Sequence, residues 1–226
     1  MNTVPPTAAI NWFKKGWQVF SSDMITWLLI AVLFAVIMFV LMIIPAIGPI
    51  IWYLIAPALM GGLMLAAKET LSEDGRPEVE HLFAGLTNEK TRTPMLILGA
   101  ILLGASIVIG ILGIGAVGSL AAVANGGGGA LGGLGFGAGL LMLIVSILIG
   151  AAYFFAPAQV MFGDTAPVDA IKNSFSASLK NIPAMALFGV IYIVLSVIAA
   201  IPLGLGFLVL IPVLVGALYA AYVDVF

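Results

Sequence analysis

Long apolar stretches alternate with short polar ones along this chain. Three stretches contain no charged side chain: Met24–Ala67, Thr93–Gly163 and Asn181–Val223. Each is about twice as long as one membrane crossing, since a ~30 Å hydrocarbon core needs roughly 20 apolar residues of helix. A helix also satisfies its own backbone hydrogen bonds inside lipid. The pattern therefore predicts an all-α, polytopic membrane protein whose single transmembrane domain, 1–226, has six transmembrane helices paired as three hairpins.

The hairpins with their flanking segments cover approximately 11–69, 79–164 and 169–226. The six crossings are predicted near Ile25–Ile44, Ile47–Ala67, Met95–Ala124, Leu140–Phe162, Ile182–Ile201 and Leu203–Val223. The third would be ~45 Å long as a straight helix, so it is expected to tilt, project or break near Gly113, Gly115 and Gly118. An outer loop is predicted at Asn125–Gly139, with a flexible turn at Asn125–Gly129.

The charged residues predict the orientation of the chain. All eight Lys and Arg residues fall in 1–23, 68–92 and 164–180, which lie on one side of a six-crossing arrangement. Basic residues are retained in the cytoplasm, so both termini are predicted to be cytoplasmic. A third crossing inside Thr93–Gly163 would move Lys172 and Lys180 outside, against this bias.

Composition excludes several classes of function. The chain is 63% hydrophobic and 8% charged, whereas soluble domains are about 25% charged. Its net charge of −2 and its lack of a Lys/Arg cluster argue against nucleic acid as a partner. The chain has no cysteine, which removes thiolate catalysis, thiolate metal sites and disulfides.

The second helix of each hairpin shares a proline pattern. A small or flexible residue stands four positions after each proline, and an acid stands twelve positions after it. The three sets are Pro57, Gly61 and Glu69; Pro157, Met161 and Asp169; Pro212, Gly216 and Asp224. Proline frees the carbonyl four residues back and kinks a helix. The spacing predicts three pseudo-repeated hairpins, with helix kinks at Pro57, Pro157 and Pro212.

Short amphipathic segments precede the first and third hairpins, at Asn11–Phe20 and Ala170–Leu179. Apolar residues recur at helical spacing in both, with lysines on the flank, as is typical of helices lying in the headgroup layer. We expect their aromatic sides to face lipid and their lysines to meet anionic headgroups. The predicted lipid-interface residues are Lys14, Lys15, Trp17, Lys172, Phe175 and Lys180. The segment His81–Leu86 is a weaker counterpart before the second hairpin.

No residue pattern indicates catalysis. The motif Gly110-x-x-Gly-x-Gly-x-x-Gly118 has no strand before it and no acid or lysine for a nucleotide, so it is interpreted as helix packing. No Asp, Glu, Lys, Arg or His lies within a predicted span, and His81 is the only histidine. We therefore expect no enzyme activity, no metal and no cofactor. Gln159 is the most polar side chain within a span, and it would be the polar residue of any cavity framed by the three prolines.

The segments Gly61-Gly62-Leu-Met-Leu-Ala and His81-Leu82-Phe83-Ala84-Gly85-Leu86, with the acidic loop between them, resemble those of a family of uncharacterised bacterial inner-membrane proteins. The likeness covers most of the chain. In plan it is similar to the membrane domain attached to some glycerophosphodiester phosphodiesterases, whose catalytic domain is absent. The resemblance implies a bacterial cytoplasmic membrane and no established activity.

The expected function is that of a non-enzymatic scaffold or accessory subunit, which packs against a larger membrane complex, against itself or against lipid. The loop Lys68–Arg92 is the largest polar surface and the expected docking point. The alternative is a small pore or carrier for a neutral or hydrophobic solute, passing between the hairpins. A lipid-modifying enzyme is a third reading.

Overall fold

The computed structural model describes residues 1–124 and 129–226, and helices are the only regular secondary structure in those ranges. Six of the described helices are long and apolar enough to cross a membrane. The predicted all-α fold, with six helices that are long and apolar enough to span a membrane, is therefore confirmed. The predicted flexible turn Asn125–Gly129 lies outside the described residues, except for its last position.

The helices are, in chain order, α1 (Ala8–Ser22), α2 (Met24–Ile43), α3 (Ile47–Thr70), a 3₁₀ helix (Val79–Phe83), α4 (Ala84–Thr87), α5 (Glu89–Ala124), α6 (Gly129–Tyr153), α7 (Ala156–Phe162), α8 (Pro167–Lys180), α9 (Ile182–Ala200) and α10 (Phe207–Val225). The spanning helices are α2, α3, α5, α6 continued by α7, α9 and α10. Consecutive spanning helices are in contact within the pairs α2–α3, α5–α6 and α9–α10, and each such pair is called a hairpin.

The middle hairpin narrows one prediction and contradicts another. Helix α5 is continuous over 36 residues, so the break at Gly113, Gly115 or Gly118 does not occur, and tilting or projecting remain as the predicted alternatives. Glycine supplies its backbone N–H like any other residue, and a break in lipid would leave polar backbone groups unsatisfied. Helix α6 begins at Gly129 instead of Leu140, so most of the segment predicted as an outer loop is helical.

Helices α3 and α10 form the interior of the bundle. In the apolar part of each span, 50% of the α3 residues and 56% of the α10 residues are buried. The buried share is 17% in α5 and 6% in α6 together with α7. Helix α3 packs against α2, α5, α7, α10 and the 3₁₀–α4 segment, while α10 packs against α1, α2, α3 and α9. The hairpin α5–α6 is the most peripheral of the three.

Each polar lead-in segment packs against the second helix of a different hairpin. Helix α1 lies along α10, the 3₁₀–α4 segment lies on α3, and α8 lies on α6 and α7. The polar segments also contact one another. The Asn2 N–H donates to the carbonyl of Val225 at 2.7 Å, and Lys68 lies 5.4 Å from the ring centroid of Phe162. The two ends of the chain are therefore neighbours.

Candidate interaction surfaces

Helix α1 turns its aromatic face toward the protein. Trp12 is fully buried, and Phe13 and Phe20 are nearly so. The Trp12 indole Nε1–H donates to Asp224 Oδ2 at 2.7 Å, and the rings of Phe13 and Phe188 lie 4.8 Å apart. The prediction that this face meets lipid is wrong for these three aromatic residues. Helices α9 and α10 offer them apolar surface, and α10 also supplies a hydrogen-bond acceptor for the indole, which lipid tails lack.

Glycine allows this close approach between α1 and α10. A Cβ atom added to Gly16 would overlap the backbone carbonyl of Val213, and one added to Gly216 would lie 2.8 Å from Gly16 Cα. The second lead-in segment makes the same kind of contact with α3, because a Cβ at Gly85 would overlap the carbonyl of Ala58. Val213 and Ala58 each directly follow a proline. Lead-in glycines thus meet α3 and α10 at matching positions.

The predicted lipid-interface residues remain on the surface. Lys14, Lys15, Lys172 and Lys180 are exposed, Phe175 is half-buried, and Trp17 is 54% exposed. Among the described residues one ion pair is present, between Lys172 Nζ and Asp169 Oδ1 at 3.9 Å. Helix α8 buries its small residues Ala170, Ser174, Ala177 and Ser178, so its larger apolar residues are left nearer the surface.

The three prolines do not have equivalent surroundings. Pro57 and Pro212 lie inside α3 and α10, as predicted for kinking positions. In the middle hairpin the helix ends at Tyr153 and restarts at Ala156, which places Pro157 in the first turn of α7. A missing N–H costs little in that position. The interruption lies before this proline, at Phe154 and Phe155.

Serines of α8 satisfy the backbone at this interruption. The Phe155 N–H donates to Ser174 Oγ at 2.9 Å. The hydroxyls of Ser174 and Ser178 donate to the carbonyl of Ala151 at 2.8 and 3.1 Å. Sequence reasoning missed this cluster. The available signal was the i, i+4 spacing of the two serines, which places both on one helical face.

Gln159 is part of the same buried polar region. It is 3% exposed, and its Nε2 donates to the carbonyl of Ala170 at 3.2 Å. A second amide, Asn181, is 1% exposed. Its Oδ1 accepts from the Val4 N–H at 2.8 Å and its Nδ2 donates to the Asn2 carbonyl at 3.1 Å. Both amides connect segments of the protein, and Asn181 was not recognised from the sequence.

The acidic loop Lys68–Arg92 is only partly a solvated surface. Leu82 is fully buried, and a Cβ at Gly62 of α3 would overlap the carbonyls of His81 and Leu82. His81 Nδ1 accepts from the Glu78 N–H at 3.1 Å, so the imidazole caps a turn. The described residues contain no group of three or more His, Cys, Asp or Glu placed to hold a metal ion. The exposed residues of this loop lie mainly at 71–74, 78–80 and 87–90, and the predicted docking point is confined to these parts.

Most glycines of α5 and α6 face open space. The expectation that they serve close helix packing holds within the chain for Gly99, which abuts Leu54, and for Gly135, which abuts Ser119. A Cβ atom added to Gly113 would make ordinary contact with Met142 at 3.7 Å, whereas at the remaining described glycines of the two helices it would meet nothing within 4 Å. These open glycines are Gly104, Gly110, Gly115, Gly118, Gly133, Gly137, Gly139 and Gly150.

Five of the open glycines lie on two helical faces. Gly104, Val108, Ile111, Gly115 and Gly118 of α5 follow a 4-3-4-3 spacing, which places them on one face of a helix. Val108 and Ile111 are 50% and 65% exposed. In α6 the open pair Gly133 and Gly137 forms a G-x-x-x-G motif, a spacing typical of contacts between membrane helices.

Two concave features lie elsewhere. One is an apolar groove between α1, α9 and α10, and the other is a smaller polar cleft lined by Ser22, Asp23, Thr70, Gly75, Arg76 and Pro77. Neither is lined by Gln159 or by the three prolines of the second helices. The predicted proline-framed cavity is not among these features. Comparison with protein-family models, with curated proteins and with solved structures finds no match to this chain.

Proposed function

We propose that this protein is a non-enzymatic membrane scaffold or accessory subunit, and that the exposed faces of α5 and α6 bind a helix of another membrane protein or of a second copy. The observation that carries the proposal is the set of glycines that face open space on this hairpin. Membrane helices associate through small residues, which let backbones approach closely. A glycine facing lipid has no such role and costs about 1 kcal/mol of helix stability relative to alanine.

A role without catalysis agrees with the chemistry of the spans. Catalysis requires a positioned acid, base, nucleophile or metal. The buried polar side chains Gln159, Ser174 and Ser178 are engaged with backbone groups. Partner binding requires only shape and apolar surface, which the peripheral hairpin offers.

The proposal includes a location and an orientation. The chain is placed in a bacterial cytoplasmic membrane, following its resemblance to the uncharacterised inner-membrane family. Both termini are placed in the cytoplasm because all Lys and Arg residues lie in the polar segments. The contact between Asn2 and Val225 supports a common side for the two termini.

We also infer that the three hairpins are copies of one unit, in which a lead-in segment packs against the second helix of the neighbouring copy. The matching contacts of Gly16 with Val213 and of Gly85 with Ala58 support this repeat. Ser174 takes the corresponding place in α8, since aligning Lys14 with Lys172 pairs Gly16 with Ser174. The arrangement would be a ring of three units closed by α1 on α10.

The test of the scaffold role measures the size of the native assembly. Wild-type protein, a Gly133→Leu/Gly137→Leu variant and a Gly150→Leu control are extracted from native membranes in mild detergent and compared by native gel electrophoresis. All three positions are open glycines of α6, but Gly150 lies on a different face at 100° per residue. We expect a large assembly for wild type and control, and the free chain for the double variant.

If the assembly persists in the double variant, the Gly133/Gly137 face of α6 is not the binding face. Facilitated solute flux by the purified protein in liposomes, or lipid hydrolysis, would overturn the scaffold role itself. The two outcomes are separable, since the first concerns the surface and the second concerns the activity.

A further inference from the structure

An apolar groove of about 860 Å³ runs between α1, α9 and α10. Its walls include Phe13 and Trp17 of α1, Leu195 and Ile198 of α9, and Val209 and Val213 of α10. Specific ligand pockets have volumes of about 300–1,000 Å³ and are mostly apolar, with few polar groups that fix orientation. The groove has both properties.

One charged side chain, that of Lys14, lines this groove. It has no acidic partner, because the ion pair present among the described residues joins Lys172 to Asp169. The neighbouring Lys15 is exposed but does not line the groove. A lone cation beside an apolar channel is complementary to an anion that carries a long hydrocarbon chain.

The lining of the groove distinguishes between occupants. It follows α9 from Ile191 to Ala199, which is about 12 Å of helix at 1.5 Å per residue. A lipid chain is thinner than a helix, and every residue of the channel beyond Lys14 is uncharged.

We propose that this groove binds one anionic membrane phospholipid, with an acyl chain along α9 and α10 and its phosphate at the Lys14 ammonium. Trp17, half exposed at the same edge, packs against the lipid near its headgroup, where indole rings are favoured. The site goes beyond the proposed scaffold role, because it lies on α1, α9 and α10 and not on α5 and α6. The two proposals can fail independently.

The test is native mass spectrometry of the purified full chain, titrated with phosphatidylglycerol or with phosphatidylcholine of identical acyl chains. The wild type is expected to retain one phosphatidylglycerol in preference to phosphatidylcholine. Lys14→Ala should lower phosphatidylglycerol affinity about fivefold, the equivalent of about 1 kcal/mol for one basic residue near an anionic surface. Lys15→Ala is the matched control, and it should change the affinity much less.

The apolar part of the site is tested by filling it. Ile198→Trp places a large ring in the groove, while Val197→Trp places the same ring outside it on α9. The two positions are similarly exposed, at 55% and 62%, so both variants should fold. Ile198→Trp should weaken both lipids, and Val197→Trp should weaken neither. Val209→Trp, on the α10 wall, is the second groove-filling variant if Ile198→Trp is unstable.

The proposal is supported if Lys14→Ala selectively lowers phosphatidylglycerol affinity and if Ile198→Trp lowers the affinity for both lipids. It is overturned if the two lipids bind equally, if Lys14→Ala and Lys15→Ala have equal effects, or if filling the groove changes nothing. A dimeric wild type that becomes monomeric in Ile198→Trp would also overturn it, since the occupant would then be a second copy.

Discussion

Helices α3 and α10 differ from α5 and α6 in burial, although all four are apolar spans. The two inner helices have mean hydropathies of 2.0 and 2.1, against 2.7 and 2.4 for the two peripheral ones, counting α6 with α7. The less hydrophobic pair is the more buried, at 50% and 56% against 17% and 6%. Lipid solvates large apolar side chains, whereas helix contacts favour small residues. In this protein lower hydropathy therefore marks the interior.

The glycines show the same division. Gly62 and Gly216, in the inner helices, lie directly against backbone atoms of the lead-in segments. Gly104 and Gly133, in the peripheral helices, face open space. One residue type therefore has two roles, and the contacts of each glycine decide which role applies. The substitutions below are ordered from the largest expected effect to the smallest.

The largest effect is expected for Gly16→Leu compared with Gly104→Leu. The first introduces side-chain atoms where the Val213 carbonyl already lies, and overpacking of this kind should cost about 3 kcal/mol or more of unfolding free energy. The second should change stability by no more than about 1 kcal/mol, the difference in helix propensity. Unfolding in mixed detergent measures both, and equal losses would contradict the division between inner and peripheral glycines.

Ser174→Ala should give the next largest effect. It removes the hydroxyl that bonds the Phe155 N–H and the Ala151 carbonyl, and leaving buried backbone groups unpaired costs about 1–3 kcal/mol. Ser176→Ala, at a half-buried position of the same helix, is the control and should change the unfolding free energy very little. Similar results for the two variants would show that the interruption of α6 does not depend on α8.

Trp12→Phe tests how firmly α1 is attached to the interior. A smaller aromatic ring is retained, but the hydrogen bond to Asp224 is lost, so we expect a cost of about 1–2 kcal/mol in unfolding free energy. Trp17→Phe is the control on the exposed side of the same helix. A larger loss for Trp17→Phe would show that the Trp17 face of α1, and not the Trp12 face, packs against the protein.

The smallest effect is expected for Asp169→Asn. The ion pair with Lys172 joins side chains that are 64% and 72% exposed, and exposed pairs contribute about 0–1 kcal/mol. We expect a change below about 0.5 kcal/mol in the same unfolding assay. A loss as large as that for Ser174→Ala would show that α8 is held by charge and not by its buried serines.

The spans were predictable because lipid imposes one simple requirement, a continuous run of apolar residues on each helix. The lead-in helices α1 and α8 were also predictable as helices, from the spacing of their apolar residues. The surface against which α1 packs was not predictable, because Trp12 and Phe13 are equally compatible with lipid and with a protein interior. The close approach of Gly16 to α10 and the hydrogen bond from Trp12 to Asp224 decide between the two.

The start of α6 was mispredicted for a related reason. Glycine-rich sequence favours loops in water, yet Gly133, Gly137 and Gly139 are helical in this hairpin. In lipid the backbone has no water to bond, so helix is favoured despite low propensity. The interruption at Phe154 and Phe155 depends on hydroxyls from a helix later in the chain. A local pattern cannot reveal such a distant partner.

The central claim is that the chain closes on itself, with α1 against α10, so that α5–α6 is left as the outward hairpin. The most direct measurement is cross-linking of cysteines at Asn2 and Phe226 with a short bismaleimide, since the wild-type chain has no cysteine. Both side chains are exposed, and the hydrogen bond from the Asn2 N–H to the Val225 carbonyl places the two ends of the chain next to each other. Treatment of native membranes should link both ends of one chain, with Asn2→Cys/Ile114→Cys unlinked as the control. No link, or only links between chains, would contradict the account.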